Sequence, residues 1–248
     1  MRQKICAMIP ARIGSQRLKY KNLALINKKP MIYYAIKAAK ASRCFDKIFI
    51  NSDHEIFSKI ATRYKVGFYK RVRKLGGSNI KSDSVVYDFF KNNSGIDILA
   101  WVNSTTPFQT SFEIKKIVSF FSRKNFDSLI TVENKKAHCN YSKKPLNYSK
   151  KSNFSKTQDL KEVQTFAYSL MMWKRKAFLK QYEKNKNAIL CGKTYFYPVS
   201  NLSAIIIKKI EDLELANYIM QSNSKKFTLK YDKIIKLKKF FNGKKNKS

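Results

Sequence analysis

The sequence predicts an α/β fold built on a doubly wound, mainly parallel sheet. Short runs rich in β-branched and aromatic residues, such as residues 47–51, alternate with segments whose apolar residues recur at helical spacing, such as residues 31–41. A chain of 248 residues is also long enough for one α/β domain with a substantial core. Because ligands bind outside the carboxyl ends of the strands in such sheets, functional residues are expected where each strand ends.

The first apolar run of the chain ends in a cationic loop. Residues 5–9 are apolar, and the first loop, residues 11–23, carries four Lys or Arg residues and no Asp or Glu. Backbone N–H groups and fixed cations in such a loop lower the energy of concentrated negative charge. The first loop therefore predicts a site for adjacent phosphates, with a nucleoside triphosphate as the first candidate. The alternative is that the loop is simply one part of a lysine-rich surface and binds no phosphate. The chain has 52 Lys and Arg residues, and the loop lacks the common glycine-rich phosphate motifs.

The first half of the chain continues with alternating helices and strands. Residues 31–41 have apolar positions at helical spacing and follow Pro30, which suits the start of a helix. Residues 47–51 form a short β-rich run, and residues 55–64 are again helical. Asp53 lies between these two segments, and we expect it to cap the second helix.

The second half repeats this alternation around a polar segment. Further helices are predicted at 84–92, 113–121 and 173–182, and further strands at 97–102, 127–132 and 195–199. Thr106 or Thr110 is expected to cap the helix at 113–121. Residues 134–162 are polar, lysine-rich and interleaved with aromatic residues, which predicts an exposed excursion from the sheet. The same interleaving suits a single-stranded nucleic-acid platform, but no recognised nucleic-acid fold accompanies it.

The order of residues in the first loop favours the phosphate site. It reads A-R-I-G-S-Q-R-L-K-Y-K-N-L, which resembles the signature A-R-x-G-S-[KR]-x-x-x-x-K-N-[IL] of the sugar-acid cytidylyltransferases. This family includes the acylneuraminate (CMP-sialic acid), CMP-pseudaminic acid, CMP-legionaminic acid and, more distantly, CMP-Kdo synthetases. Its members join CTP to a nonulosonic or octulosonic acid and release pyrophosphate. The resemblance implies a nucleotide-diphospho-sugar transferase-like, Rossmann-like fold with a small inserted excursion for dimerisation or for covering the sugar.

The resemblance also implies roles for individual residues. Catalysis would depend on Arg12, Arg17 and Lys21. The nucleotide-binding positions would be Ala11, Arg12, Gly14, Ser15, Asn22, Arg71 and Ser82. The sugar-binding positions would be Asn103, where the family has Gln, and Phe166.

Several positions depart from the family pattern. The activating Lys of sialic acid synthetases is Gln16 here, although Arg17 matches an Arg of the CMP-Kdo synthetases. The family's Asn-Gly pair near the acceptor sugar is Ser169-Leu170, which removes an expected amide. Taken without the resemblance, Arg71 is equally consistent with a surface cation.

The closing motif of the family departs most. Residues 204–220 align with D-I-D-[TS]-x-E-D-[LF]-x-x-A through the Glu-Asp-Leu run at 211–213. The two aspartates that bind the metal in the family fall on Ile206 and Lys208, and neither side chain offers the oxygen ligands that Mg²⁺ needs. Mg²⁺ is therefore expected by resemblance, with no protein ligand identified. Three outcomes stay open. The metal could be held mainly by CTP phosphates and water, Lys208 could replace part of the metal's charge, or the protein could be a homologue that no longer catalyses.

Composition and the resemblance set the remaining expectations. The net charge of +36 raises the idea of nucleic-acid binding, but only nine basic residues are Arg and the Lys residues are spread along the chain, so we favour a solvated lysine surface. No apolar run is long enough for a transmembrane segment, no signal-peptide core is present and the four Cys are widely spaced, so a cytoplasmic protein is expected. By resemblance, its partners are CTP, a sugar acid and a second copy in a homodimer.

The expected domain organisation is simple. Residues 1–241 are predicted to form one cytidylyltransferase-like domain that includes the excursion. Within it, residues 225–241 are apolar and basic, which suits a docked terminal helix or an amphipathic segment at an anionic membrane surface. Residues 242–248 are expected to form a frayed basic tail.

Overall fold

A seven-stranded sheet organises the residues that this computed structural model describes, 2–151 and 153–222. In chain order the strands are β1 (Ile5–Ala11), β2 (Leu25–Ile26), β3 (Lys29–Pro30), β4 (Lys47–Ser52), β5 (Gly67–Lys70), β6 (Ile98–Val102), β7 (Ser128–Lys135), β8 (Asn140–Tyr141), β9 (Lys144–Pro145), β10 (Val163–Lys174) and β11 (Thr194–Pro198). The helices are α1 (Ile32–Ser42), α2 (Ile56–Tyr64), α3 (Ser82–Asn92), α4 (Ser111–Arg123), α5 (Arg175–Asn185) and α6 (Ile210–Ser222).

The strand order of the main sheet is β11-β7-β10-β6-β1-β4-β5. β10 is antiparallel to both of its neighbours, and the other neighbouring pairs are parallel. The predicted mainly parallel α/β fold is confirmed. Because β1, β4, β5 and β6 are parallel, the loops that follow them gather at one edge of the sheet.

Both faces of the sheet are covered by helices, and β1 shows how the sequence produces this. Ala7 and Ile9 point to one face and pack in the core with α1, α2 and α4, whereas Cys6 and Met8 point to the other face and pack with α3 and α5. Successive side chains of a strand point to opposite faces, so a strand buried on both sides must be apolar throughout. This explains the continuous apolar run that precedes the first loop.

The predicted helices and strands are present, with some boundaries moved. α3 begins at Ser82 instead of residue 84, so a predicted nucleotide-binding residue forms the first turn of that helix. The helix predicted at 173–182 begins later, at Arg175, because β10 continues to Lys174. Trp173 is therefore a buried strand residue, and the helical spacing that follows it starts after the strand ends.

Two short hairpins were not expected from the sequence, β2–β3 and β8–β9. Their turns place Asn27 and Lys28 at φ values of 44° and 63°, and Ser142 and Lys143 at 47° and 66°. Two consecutive residues with positive φ are typical of tight hairpin turns, which usually contain Asn-Gly or Asp-Gly. Neither turn contains such a pair, so the strongest sequence signal for a hairpin is missing.

The prediction that Asp53 caps the following helix is wrong. Asp53 makes no bond to the start of α2, where the N–H of Ile56 instead donates a hydrogen bond to His54 Nδ1 at 3.1 Å. Asp53 instead accepts a hydrogen bond from Arg71 Nη2 at 3.2 Å, because the loop after β5 passes beside the end of β4. The alternative cap at Thr110 is confirmed, since its Oγ1 accepts a hydrogen bond from the N–H of Glu113 at 3.1 Å.

The excursion predicted at residues 134–162 starts with the last two residues of β7, runs to β10, and contains the β8–β9 hairpin and a short 3-10 turn at Thr157–Asp159. Three of its apolar side chains are largely exposed, namely Tyr141 (75%), Leu146 (57%) and Phe154 (75%). The predicted terminal segment at 225–241 and the tail at 242–248 lie outside the described residues. Within the described ranges, no helix is both long and apolar enough to cross a membrane.

Candidate active site

Two adjoining cavities open at the carboxyl ends of β1 and β6. The first cavity has a volume of about 260 Å³ and reaches the loop after β5, and the second has a volume of about 590 Å³ and reaches β10 and the start of α6. The two share part of their lining, which consists of Lys21, Ile80, Ser82, Trp101, Asn103 and Thr105. A ligand in one cavity can therefore contact a ligand in the other.

Almost all of the predicted site residues line these cavities. The first cavity is lined by the predicted nucleotide-binding residues Ala11, Arg12, Ser15, Asn22, Arg71 and Ser82. The second is lined by Arg17, Lys21, Asn103 and Phe166, together with Ile206 and Lys208, where the family has its metal-binding aspartates. The exception is Gly14, which lines neither cavity, and a Cβ atom added to it would meet nothing within 4 Å.

A buried polar network joins the first loop to the loop after β6. Asn22 Nδ2 donates a hydrogen bond to the carbonyl of Arg12 at 3.3 Å. The Ser104 hydroxyl lies 2.8 Å from both Asn22 Oδ1 and the carbonyl of Pro10, and its single proton serves one of them at a time. Asn22 and Ser104 are only 4% and 3% exposed. The carboxamide of Asn22 therefore fixes the backbone at Arg12, and Ser104 is a site residue that the sequence did not single out.

Arg71 is buried at the wall of the first cavity, so it is not a surface cation. Its Nη1 donates to Asn51 Oδ1 at 3.1 Å, and its Nη2 pairs with Asp53 Oδ1 at 3.2 Å. Burial lowers the pKa of the Arg71 guanidinium, and the charge of Asp53 opposes that shift. A Cβ atom added at Gly76 would overlap the Asp53 carboxylate, so glycine is needed where this loop passes over the pair.

Lys21 lies among other cations where the two cavities meet. Its Nζ donates a hydrogen bond to the carbonyl of Ile207 at 3.2 Å. Burial lowers the pKa of Lys21, and the neighbouring charges of Arg17 and Arg12 lower it further. Asp212 opposes this shift, and Lys208 adds the smallest lowering effect. Like charges that crowd a partly buried site are stabilised when an anion binds between them. The junction therefore suits a polyphosphate.

Carboxylates are scarce around both cavities. Of the described lining residues, only Asp83 carries one, and its Oδ1 already accepts hydrogen bonds from the backbone N–H groups of Ala188 and Ile189 at 2.5 and 3.1 Å. Asp212 is turned to its own helix, where Oδ2 accepts the N–H groups of Lys208 and Lys209 at 2.7 and 3.0 Å. Nowhere in the two described ranges do three or more His, Cys, Asp or Glu residues cluster in a way that could hold a metal ion. This donor set does not fit Mg²⁺, which needs several oxygen ligands.

The second cavity has an aromatic wall that begins at Phe166. The Phe166 ring stacks on Phe196 with a centroid distance of 5.4 Å and contacts the edge of Tyr168 at 5.3 Å. Tyr168 has φ of 50° because β10 bulges between Phe166 and Met171, and the bulge brings this ring to the cavity. Neither the bulge nor the role of Tyr168 was expected, because the local sequence contains no glycine to mark it.

Asn103 lines both cavities but is already engaged with its surroundings. Its Nδ2 donates to the carbonyl of Tyr168 at 3.1 Å, and its Oδ1 accepts the N–H and the hydroxyl of Thr105 at 3.0 and 2.9 Å. A carboxamide has two N–H donors, so one remains for a ligand. Ser169, at the place of the family's Asn, is fully buried and accepts a hydrogen bond from Gln109 Nε2 at 3.0 Å. Its hydroxyl is therefore part of the interior and does not face the cavity.

Comparison with known proteins agrees with this architecture. A family model described as cytidylyltransferase matches residues 6–239. The N-acylneuraminate cytidylyltransferase of Escherichia coli O18:K1:H7 is 32% identical over 121 residues, which are 49% of this chain and 29% of that protein. The N-acylneuraminate cytidylyltransferase of Oncorhynchus mykiss is 24% identical over 131 residues, which are 53% of this chain and 30% of that protein. The chain thus spans less than a third of the length of these two relatives.

A shorter relative and two solved structures extend the comparison. Post-translational flagellin modification protein B of Campylobacter coli is 34% identical over 136 residues, 52% of this chain and 57% of that protein. The structure of a CMP:2-keto-3-deoxy-manno-octonic acid synthetase complexed with CTP superposes with a TM-score of 0.67 at 13% identity, covering 89% of this chain and 100% of that chain. A 4-diphosphocytidyl-2C-methyl-D-erythritol synthase from Anaerococcus prevotii gives a TM-score of 0.66 at 15% identity, covering 88% and 99%. At such identities the likeness concerns the fold.

Proposed function

Because this chain belongs to the cytidylyltransferase family, we propose that it couples CTP to a nonulosonic, sialic-acid-like sugar acid and gives the CMP-sugar and pyrophosphate. The observation that carries this proposal is the pair of cavities that meet at Lys21. A transfer between two substrates requires that the attacking atom and the reacting phosphorus be held together. One cavity would hold the nucleotide, and the other would hold the acceptor.

The reaction needs little covalent chemistry from the protein. The anomeric hydroxyl oxygen of the sugar acid attacks the α-phosphorus of CTP and forms a new O–P bond. The bond from the α-phosphorus to the oxygen that bridges to the β-phosphorus breaks, pyrophosphate leaves with that electron pair, and the hydroxyl proton passes to solvent. Negative charge grows on the departing phosphates, so fixed cations beside them stabilise the transition state.

The residues of the first loop are proposed to hold the triphosphate. Arg12, Arg17 and Lys21 would supply the positive charge, and Ser15 would donate a hydroxyl hydrogen bond. Arg17 and Lys21 line the second cavity, so they are placed to contact the α-phosphate at the acceptor side. The remaining direct contacts to the nucleotide are assigned to Ala11 and Ser82, which line the first cavity, whereas Gly14 lines neither cavity and is assigned none.

Asn22 and Arg71 are proposed to act mainly as positioning residues. Asn22 is engaged with Arg12 and Ser104, and Arg71 with Asn51 and Asp53. These bonds hold the wall of the first cavity in place before the nucleotide arrives, which lowers the cost of ordering it on binding. Ser82 differs from them, because it begins α3 and lines both cavities.

The sugar acid is proposed to occupy the second cavity. The positive charge where the two cavities meet would attract its carboxylate, and the wall of Phe166 and Tyr168 would pack against the carbon face of its ring. The remaining N–H of Asn103 would donate to a sugar oxygen. This mixture of cations and aromatic surface suits an acidic sugar better than a neutral, small alcohol.

A pyrophosphate-release assay with CTP and a panel of nonulosonic acids tests the proposal. We expect release with at least one acid and none without an acceptor. No release with any acid, in buffers with and without Mg²⁺, would contradict the proposed reaction.

The second candidate is a catalytically degenerate homologue that binds nucleotide and has a regulatory or binding role. It is favoured by Gln16, Ser169, Ile206 and Lys208, which replace residues of the family pattern. Calorimetry distinguishes the two candidates: this one predicts a CTP-binding isotherm from a protein that releases no pyrophosphate with any acceptor.

We also propose that the chain forms a homodimer through the excursion. Tyr141, Leu146 and Phe154 expose apolar surface there, and burying such surface between two copies is favourable. Light scattering after size exclusion should give twice the chain mass for the wild type. A Phe154→Ser substitution should shift the population towards the monomer, and a wild-type monomer at all concentrations would contradict the dimer.

A further inference from the structure

Lys208 occupies a position at which the family has a metal-binding aspartate, so a positive charge replaces a negative one there. We infer that the ammonium groups of Lys208 and Lys21 and the guanidinium of Arg17 supply the charge that holds the CTP phosphates, so that CTP binds without a divalent cation. The inference rests on the proposed function, because it takes CTP as the ligand of the two cavities.

The backbone at Lys208 is held firmly against the site. The N–H of Ile207 donates to the carbonyl of Thr105 at 2.9 Å, and the carbonyl of Ile207 accepts the Lys21 ammonium at 3.2 Å. The N–H of Lys208 itself donates to Asp212 Oδ2 at 2.7 Å. These contacts leave the side chain of Lys208 free to line the second cavity beside Lys21 and Arg17.

The charges around this point favour an anion over a cation. Arg17, Lys21 and Lys208 line the second cavity and Arg12 lines the first, so four cations gather here, and Asp212 is the carboxylate whose charge opposes them at Lys21. A divalent cation placed among them would be repelled unless carboxylates offset it. One oxygen of Asp83 and one oxygen of Asp212 each already accept two backbone N–H groups, so each carboxylate has only its other oxygen left for a metal, which is fewer ligands than Mg²⁺ needs. A phosphate group, in contrast, would be attracted by every member of the cluster.

The replacement also predicts how Mg²⁺ should affect binding. In solution Mg²⁺ binds the triphosphate and neutralises part of its charge. A site that holds its metal through carboxylates gains affinity from Mg²⁺, whereas a site built from lysine and arginine gains nothing or loses affinity, because the ligand then carries less negative charge.

Isothermal titration calorimetry with CTP tests the inference on the full chain, at constant ionic strength, with EDTA in one buffer and Mg²⁺ in the other. The wild type should bind CTP in EDTA as tightly as in Mg²⁺, to within about twofold, or more tightly. Lys208→Met keeps most of the length of the side chain and removes its charge, and it should bind CTP about tenfold more weakly in EDTA. The loss should be smaller in Mg²⁺.

Lys209→Met is the matched control. Lys209 is the neighbouring residue, lines neither cavity and pairs with Glu211 at 3.6 Å on the surface. It should bind CTP like the wild type, and circular dichroism should show that both variants are folded.

The possible results separate the inference from the proposed function. Wild-type binding that requires Mg²⁺ would overturn the inference and leave the proposed function standing. Lys208→Met binding equal to that of the wild type would overturn the assignment to Lys208. No CTP binding in either buffer would contradict the proposed function itself.

Discussion

Arg71 and Asp53 form a buried ion pair beside the first cavity, with Nη2 and Oδ1 3.2 Å apart and side chains only 4% and 11% exposed. The pair connects the loop after β5 to the end of β4, and Asn51 holds the other arm of the guanidinium. A charge buried to this extent is stable only with its partner present. Asp53 is therefore the counterion of a proposed nucleotide-binding residue.

Asp53→Asn should destabilise the protein strongly. The amide is nearly isosteric, but it leaves the Arg71 guanidinium buried without a counterion, which typically costs about 3 kcal/mol or more. Urea denaturation followed by circular dichroism measures the loss. Glu55→Gln is the control, because it breaks the exposed pair with Lys70 and should change stability little. Equal losses in the two variants would contradict a special role for the buried pair.

Ser104→Ala should weaken both stability and CTP binding. It leaves Asn22 Oδ1 or the carbonyl of Pro10 without a donor in a buried place, at a cost of about 1–3 kcal/mol. The first loop then loses a contact that fixes the backbone of Arg12, so its affinity for phosphates should fall. Ser122→Ala is the matched control on α4, where the hydroxyl only donates to the carbonyl of Val118. CTP affinity unchanged by Ser104→Ala would show that this network does not shape the site.

Two lysines of the first loop should differ sharply in their effect on CTP. Lys21 lies at the junction of the cavities, whereas Lys19 lines neither and stands over the Tyr20 ring at 5.3 Å. Lys21→Met should lower CTP affinity by about tenfold or more, because it removes a partly buried positive charge next to the phosphates. Lys19→Met should bind like the wild type in the same calorimetric titration. Equal losses would mean that only the general charge of the loop attracts the nucleotide.

The four cysteines should fall into two reactivity classes. Burial raises the pKa of the Cys6 and Cys191 thiols to about 12, and both side chains are almost completely inaccessible. Cys44 and Cys139 are partly exposed. A thiol reagent should therefore label Cys44 and Cys139 in the native protein and all four cysteines after denaturation.

Raising the pH should not make the two buried cysteines, Cys6 and Cys191, reactive. From pH 7 to pH 9, Cys6 and Cys191 stay below their pKa and remain neutral thiols, so native labelling should still stop at the two exposed cysteines. Mass spectrometry of the labelled peptides measures this. Labelling of Cys6 at pH 9 in folded protein would contradict its burial in the core.

The parts of the fold that sequence could predict depend on local patterns. The apolar run of β1 and the helical spacing of α1 follow from the faces that these elements bury. The order of residues in the first loop predicted that Arg12, Ser15 and Lys21 belong to one site, and all three line the first cavity. Loops that follow parallel strands gather at one edge of the sheet, so nearly all proposed site residues were found there.

The parts that sequence could not predict depend on contacts between distant segments. The pairing of Asp53 with Arg71 and of Asn22 with Ser104 joins loops that are far apart in the chain, and a short polar residue after a strand looks locally like a helix cap. The bulge at Tyr168 is likewise visible only in the pairing of β10 with β7, and no local motif in the sequence indicates it. These contacts depend on how the folded chain brings distant segments together.

In the proposed reaction, the α-phosphorus of CTP is transferred to a sugar acid at the junction of the two cavities. The most direct measurement uses CTP labelled with radioactive phosphorus at the α position, a panel of nonulosonic acids and chromatographic separation of the products. The label should move into a product that also contains the sugar acid, at the same rate as pyrophosphate is released, and Lys21→Met should slow both. Label that stays in CTP with every acid, in a protein that binds CTP, would contradict the proposed reaction.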